Sequence, residues 1–200
     1  MTLASIRFIT MIRHGQYHTA RQDDGELTLV GIEQIKLAAR ALRMDHFDTI
    51  YYSPMRRAEQ SAQVIARSFP NVTIKADDLL RECVPSVPPR LEAIFQMHRR
   101  KMPHTQDALD RCLARFEMAW ERFAEPPQDE GDEVHDLLVC HGNIIRYFVA
   151  RALTVATDTW INMLMHNGGI TRLRVDTSGE TTLISHNDMG HLPPRLRTQT

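Results

Sequence analysis

The sequence predicts an α/β fold, a three-layer α/β/α sandwich around a mostly parallel central sheet. Three observations predict it. Short apolar, β-branched runs alternate along the chain with longer stretches whose apolar residues recur at helical spacing. One run, DLLVC at 136–140, is apolar without alternation, as expected of a strand covered on both faces. Two runs pass at once into helical patterns, at SPMRRAEQ and at HGNIIR, which gives a strand–helix–strand order.

Residues 5–12 read as a buried strand that breaks off at Arg13, His14 and Gly15. GELTLVGIEQIKLAARALRM (25–44) reads as a helix, with Thr28 as N-cap and Ile32, Ile35, Ala39 and Leu42 on one face. FDTIYY (47–52) is a second strand. SPMRRAEQSAQVIARSF (53–69) follows as a helix with Ser53 as N-cap and Pro54 at its first position. NVTIKA (71–76) is a third strand, and LLRECVPSVPPR (79–90) is too proline-rich to be regular. Residues 90–101 and 105–124 look helical, and AEPPQDEGDEVH (124–135) reads as an acidic, solvated loop. After DLLVC comes a helix, GNIIRYFVARAL (142–153), and two strands near 169–175 and 181–186 close the sheet. No internal repeat is present, and residues 1–200 read as a single domain.

Composition narrows the function classes. Lys plus Arg number 24 against 25 Asp plus Glu, so there is no global pull toward nucleic acid or an anionic membrane. No apolar run reaches the roughly 18 residues of a membrane span, and no signal peptide is evident. Three cysteines without metal spacing (Cys83, Cys112 and Cys140) argue for reduced thiols and a cytoplasmic protein.

Ligands of such sheets bind beyond the carboxyl ends of the strands. Three strands here end in polar groups: Arg13-His14-Gly15, then Ser53-Pro54 with Arg57 just inside the next helix, and His141-Gly142-Asn143. If the strands are neighbours, two guanidiniums, two imidazoles and two helix N-termini form a cage for a phosphate-sized anion. A lone strand-terminal Arg or His is more often a surface residue or a cap. Three in register leave the phosphate site and the bland reading about even.

RHGQ after the first strand, SPMRRAEQSA after the second, LLRE, and VCHGNIIR before a helix resemble the histidine phosphatase superfamily, the phosphoglycerate-mutase-like group. Together with HNGGITRL and NDMGHLPP they resemble its branch of Ser/Thr protein phosphatases over nearly the whole chain. The resemblance implies a phosphoglycerate-mutase-like fold and a metal-independent phosphomonoesterase without cofactor. His14 would become a phosphohistidine. Arg13, Arg57 and His141 would bind the phosphoryl oxygens, and Glu82 would be the proton donor. It also implies a phosphoprotein partner, and a homodimer involving the C-terminal tail, for which a frayed terminus is the alternative. Gln16 and Asn143 either add donors at the pocket floor or fill turn and cap roles. Without the resemblance, Glu82 reads first as a salt-bridge partner of Arg81. His18 lies four residues from His14, but no third metal ligand is evident. Competing functions are a small-molecule or phosphohistidine phosphatase, a mutase, for which the chain seems short, and a phosphate-binding scaffold.

Overall fold

The computed structural model describes residues 5–19, 24–89, 92–93, 105–127 and 131–199. Six strands form one sheet: β1 (Ile6–Arg13), β2 (Thr49–Tyr52), β3 (Thr73–Ala76), β4 (Glu133–Cys140), β5 (Ile170–Val175) and β6 (Thr181–Asp188). Their order is β3-β2-β4-β1-β5-β6. The pairs β3–β2, β2–β4 and β4–β1 are parallel, and the last two strands run antiparallel to their neighbours. Helices α1 (Leu29–Ala41) and α2 (Arg56–Ala66) cover one face. Helices α3 (Gln106–Phe123) and α4 (Gly142–Ala152) cover the other.

β4 explains why three layers form. Its alternate residues Leu137 and Val139 pack with Ile35, Leu42 and Ile65 of α1 and α2, while Leu138 and Cys140 pack with Phe116, Ile145 and Phe148 of α3 and α4. A strand apolar on both faces can be stable only between two helical layers. Each fully buried Leu, Ile or Phe here contributes about 1.5–3 kcal/mol.

The predicted elements recur with shifted ends. Thr28 caps α1 by accepting a hydrogen bond from the Gly31 amide at 3.0 Å. Ser53 does not begin the second helix: α2 starts at Arg56 with Met55 before it. The Ser53 amide still donates to the Val139 carbonyl at 3.0 Å, so the chain remains tied to the sheet and turns helical only three residues later. β4 begins at Glu133, inside the stretch read as an acidic loop, because Glu133, Val134 and His135 pair with Ile6, Arg7 and Phe8. The helix expected over 90–101 lies almost wholly outside the described residues.

The cysteine reading is corrected. Cys83 and Cys112 form a disulfide, their Cα atoms 5.8 Å apart, and only Cys140 is a free, buried thiol. An odd count and wide spacing hid the pair, since contact depends on the proline-rich loop folding against α3. Among the described residues no helix is long and apolar enough to cross a membrane.

Candidate active site

The three polar strand ends meet because their strands are neighbours in register. Arg13 stands opposite Cys140 and Tyr52 opposite Val139, so His14, Ser53 and His141 emerge together at the carboxyl edge of the sheet. The segment after β1 is pressed onto α1 backbone to backbone. A Cβ on Gly15 would lie 2.5 Å from the Gly31 carbonyl oxygen, and one on Gly31 would lie 2.0 Å from that of Gln16. Only glycine admits this approach, which aims His14 across the sheet edge.

His14 is 2% exposed. Its Nδ1 lies 2.8 Å from the Gly15 carbonyl oxygen, which can only accept, so the ring proton sits on Nδ1. The lone pair is therefore on Nε2, where it receives the Arg57 Nε–H at 3.0 Å. Burial, then the charges of Arg13 and Arg57, hold the imidazole pKa well below its ordinary value of 6.5. The result is a neutral imidazole with its free nitrogen facing a cationic pocket, the state a nucleophile needs.

His141 stands beside it, ring centroids 5.0 Å apart and steeply inclined. Its Nε2 lies 2.8 Å from Ser53 Oγ, and its buried Nδ1 has no partner among the described residues. Burial, then the neighbouring His14 ring and the charges of Arg57 and Arg13, lowers its pKa as well. Arg13 donates Nη1–H to the Met165 carbonyl at 2.7 Å, and burial brings its pKa down to about 10, still a cation at neutral pH. Arg57 is 7% exposed, pairs with Asp24 at 2.7 Å and lies over the Tyr17 ring at 4.7 Å.

Glu82 joins the group. Its two carboxylate oxygens accept from the Cys83 amide at 3.1 Å and from the Asn143 amide, at the start of α4, at 3.3 Å. Burial raises its pKa, against the pull of these bonds and of Arg13 and Arg57. It is not paired with Arg81, whose guanidinium goes to Asp78 at 2.7 Å. A carboxyl whose pKa burial raises, set beside a neutral imidazole and two guanidiniums, is equipped to give and take a proton.

Arg13, His14, Arg57, Glu82 and His141 are thus brought together. Gln16 and Asn143 take supporting places. The Gln16 amide oxygen accepts from the Thr28 hydroxyl at 2.8 Å, tying the loop to the cap of α1. Asn143 Nδ2 donates to the Cys83 carbonyl at 2.8 Å, steadying the segment that carries Glu82. His18 is exposed, and among the described residues no group of three or more His, Cys, Asp or Glu could hold a metal ion.

Sequence reasoning gave four residues no part in the site. Ser53 was read as a cap. Asp24 carried no signal in a polar stretch. Arg146, whose Nη1 donates to Asn143 Oδ1 at 3.0 Å, lay within the quoted VCHGNIIR without a role. Thr198 was assigned to a tail expected to pair copies or to fray. The Thr198 carbonyl accepts the Asn167 amide at 2.9 Å and its hydroxyl bonds the side chains of Asn167 and Gln34, so this part of the tail is held. Asn167 Nδ2 in turn donates to the His14 carbonyl at 3.2 Å, and Gln34 Oε1 accepts the Gln16 amide at 2.8 Å. The C-terminal segment therefore packs behind the loop of His14.

Known proteins resemble this chain in sequence and in fold. Residues 9–189 match the model of the histidine phosphatase superfamily, branch 1. The mitochondrial Ser/Thr-protein phosphatase PGAM5 of Xenopus tropicalis is 32% identical over 200 residues, covering 97% of this chain and 69% of that protein. Its namesake in Homo sapiens is 32% identical over 204 residues, covering 97% of this chain and 66% of that protein. Among solved structures, a phosphoglycerate mutase of Plasmodium falciparum superposes with TM-score 0.63 and 25% identity, covering 95% of this chain and 96% of that one. Bacillus stearothermophilus YhfR has the same fold, with TM-score 0.71, 19% identity, and coverage of 94% and 100%. The relatives named mitochondrial overturn the cytoplasmic expectation, which rested on a thiol reading that the disulfide also contradicts.

Proposed function

The chain belongs to the histidine phosphatase superfamily and is a phosphoric monoester hydrolase; on that footing, we propose that it cleaves phosphoserine and phosphothreonine esters of proteins through a phosphohistidine on His14. One observation carries the mechanism: the Gly15 carbonyl holds the proton on Nδ1 and leaves Nε2 free. His14 Nε2 attacks phosphorus in line, the N–P bond forms and the ester P–O bond breaks. The Arg57 Nε–H turns from Nε2 to a phosphoryl oxygen. Arg13 and Arg57 offset the charge on the equatorial oxygens. In the tautomer whose Nε2 accepts from the Ser53 hydroxyl, the His141 ring proton sits on Nδ1, which has no partner among the described residues and can bind another oxygen.

Glu82, its pKa raised by burial, gives its proton to the departing alkoxide. The carboxylate then takes a proton from water as that water attacks the phosphohistidine, releasing phosphate and restoring His14. Asn143 acts as a positioning residue for Glu82, and Gln16 for the loop behind His14. The protein substrate follows from the names of the relatives. A small-molecule phosphatase of the same fold is the second reading, favoured by nothing in the site beyond the shared phosphate cage.

The test is hydrolysis of p-nitrophenyl phosphate and of phosphoserine peptides in EDTA, by wild type and His14→Ala. Activity that survives chelation, vanishes in the variant and leaves an acid-labile, base-stable phosphate on His14 after quenching is the expected result. Loss of activity to chelator, or activity retained without His14, would overturn the mechanism. A strong preference for small phosphomonoesters over peptides would overturn the substrate class.

A further inference from the structure

The segment that carries Glu82 has little regular structure to hold it. Between the 3₁₀ turn Asp78–Leu80 and residue 89 the chain forms neither helix nor strand until its last residue enters a helical turn, and Pro85, Pro88 and Pro89 lack amide donors. Its ties come from side chains elsewhere: Asn143 Nδ2 to the Cys83 carbonyl at 2.8 Å, Arg115 Nη2 to the Arg81 carbonyl at 3.4 Å, and Trp160 Nε1 to Ser86 Oγ at 3.1 Å. The covalent tie is the Cys83–Cys112 disulfide. Cys112 belongs to α3 and is 2% exposed in a core with Leu80 and Phe116, so it is a fixed anchor. Cys83 is half-buried and directly follows the acid. Its amide donates to Glu82 Oε1 at 3.1 Å. The crosslink therefore grips the one residue whose amide and carbonyl both position the carboxyl.

We propose that the Cys83–Cys112 disulfide is a redox-sensitive positioning element for the proton donor: oxidised, it holds Glu82 against the His14 pocket, and its reduction releases the segment and slows the turnover of esters with poor leaving groups. The proposal rests on the role given to Glu82 above. The co-reactant is a dithiol. Its thiolate attacks the half-buried Cys83 sulfur, the S–S bond breaks and Cys112 departs as a thiolate that takes up a proton. The second thiol of the reductant then attacks the mixed disulfide. Cys83 leaves as a thiol and the dithiol becomes a cyclic disulfide, so two electrons and two protons pass to the protein. A merely structural staple would change stability on reduction without changing which leaving groups are hydrolysed.

The experiment compares the oxidised protein, the protein reduced with dithiothreitol and freed of excess reagent, and the variants Cys83→Ser and Cys112→Ser. Intact mass reads the gain of two hydrogens, and thermal melts confirm folding. Both kcat and KM are measured on a phosphoserine peptide and on p-nitrophenyl phosphate, whose leaving group needs little protonation. Reduction is expected to lower kcat on the peptide about tenfold, less than the roughly 10²–10⁴-fold that general acid–base catalysis contributes because Glu82 is loosened and not removed, and on the nitrophenyl ester less than about twofold. Reoxidation restores the peptide rate, and both variants match the reduced enzyme and ignore dithiothreitol. Equal losses on both substrates, no loss, a response that persists in the variants, or a protein that never gains the two hydrogens would overturn the proposal. If a variant fails to fold, reduction and reoxidation of the wild type carry the test alone. Absence of phosphatase activity in every form would instead refute the reading of the site, and the switch with it.

Discussion

Replacing Arg57 by alanine tests the geometry most directly. Arg57 is buried, its Nε lies 3.0 Å from the nucleophilic nitrogen, and it reaches into the space that a phosphoryl group attached to that nitrogen would fill. Deleting one preorganised donor from such a site costs about 2.7–4 kcal/mol of transition-state stabilisation, or roughly 10²–10³ in kcat/KM. The fold should survive, because the carboxylate left behind on Asp24 has a side chain 30% exposed and can be solvated. A second signature follows from the charges. Arg57 is one of the groups that hold the His14 pKa down, so its loss raises that pKa and moves the acid limb of the rate profile to higher pH. Arg57→Lys keeps a charge but not the fork of donors, and should fall between wild type and alanine in rate while retaining most of the low-pH activity. The assay is kcat/KM against pH on p-nitrophenyl phosphate, with melts as a control. A loss below about fivefold in the alanine variant would remove Arg57 from the phosphate cage.

Glu82→Gln should slow phosphoserine peptides by about 10²-fold or more and nitrophenyl phosphate far less, and should abolish the fall in peptide rate as pH rises through the raised Glu82 pKa. Equal losses on both substrates would contradict the proton-donor role. Because His14 and His141 titrate below 6.5 when folded, their contribution to stability is present above that pH and is lost as pH falls through their depressed values. Thermal melts from pH 8 to 5 should therefore show an acid decline that His141→Gln makes shallower, and an unchanged slope would refute the depression. Gly31→Ala puts a Cβ 2.0 Å from the Gln16 carbonyl oxygen, so it should cost about 1–3 kcal/mol in denaturant unfolding and lower kcat more than KM by displacing His14. Wild-type kinetics would show that the loop tolerates the shift.

The layers and the cage were legible because both depend on local pattern. DLLVC reads as a doubly covered strand from five residues, and Arg13, His14 and His141 announce themselves by ending apolar runs. Glu82 was not legible from its surroundings, since a Glu beside an Arg looks like an exposed pair. Only the family resemblance singled it out, and the physical reason it joins the site lies in the Asn143 amide 61 residues away. The supporting bonds behind His14 are similarly non-local: Thr198 reaches Asn167 and Gln34 across 31 and 164 residues, separations at which no periodicity carries a signal. Cys83 and Cys112 failed for the same reason, with 29 residues between them and a proline-rich loop deciding whether they meet.

The pocket concentrates charges that oppose one another in the absence of substrate. Burial and the neighbouring charges of Arg146 and Arg57 bring Arg13 down to about 10, only partly offset by Glu82, and burial, helped by the guanidiniums, holds both imidazole pKa values down. Asp24 partly offsets this by pairing with Arg57 and accepting the Arg56 amide at the start of α2, where an anion is favoured. A cluster arranged for fold stability would place that carboxylate centrally, because a buried guanidinium without an acceptor is costly. Here the aspartate stands at the side, and the centre is bounded by donors and one raised carboxyl. In the proposed mechanism an incoming dianion draws further bonds from donors that already hold Met165 and Asp24, and the same arrangement would keep His14 a nucleophile and Glu82 an acid until it arrives. On the proposed mechanism, nucleophile, acid and cage would be one electrostatic consequence of bringing three parallel strand ends into register.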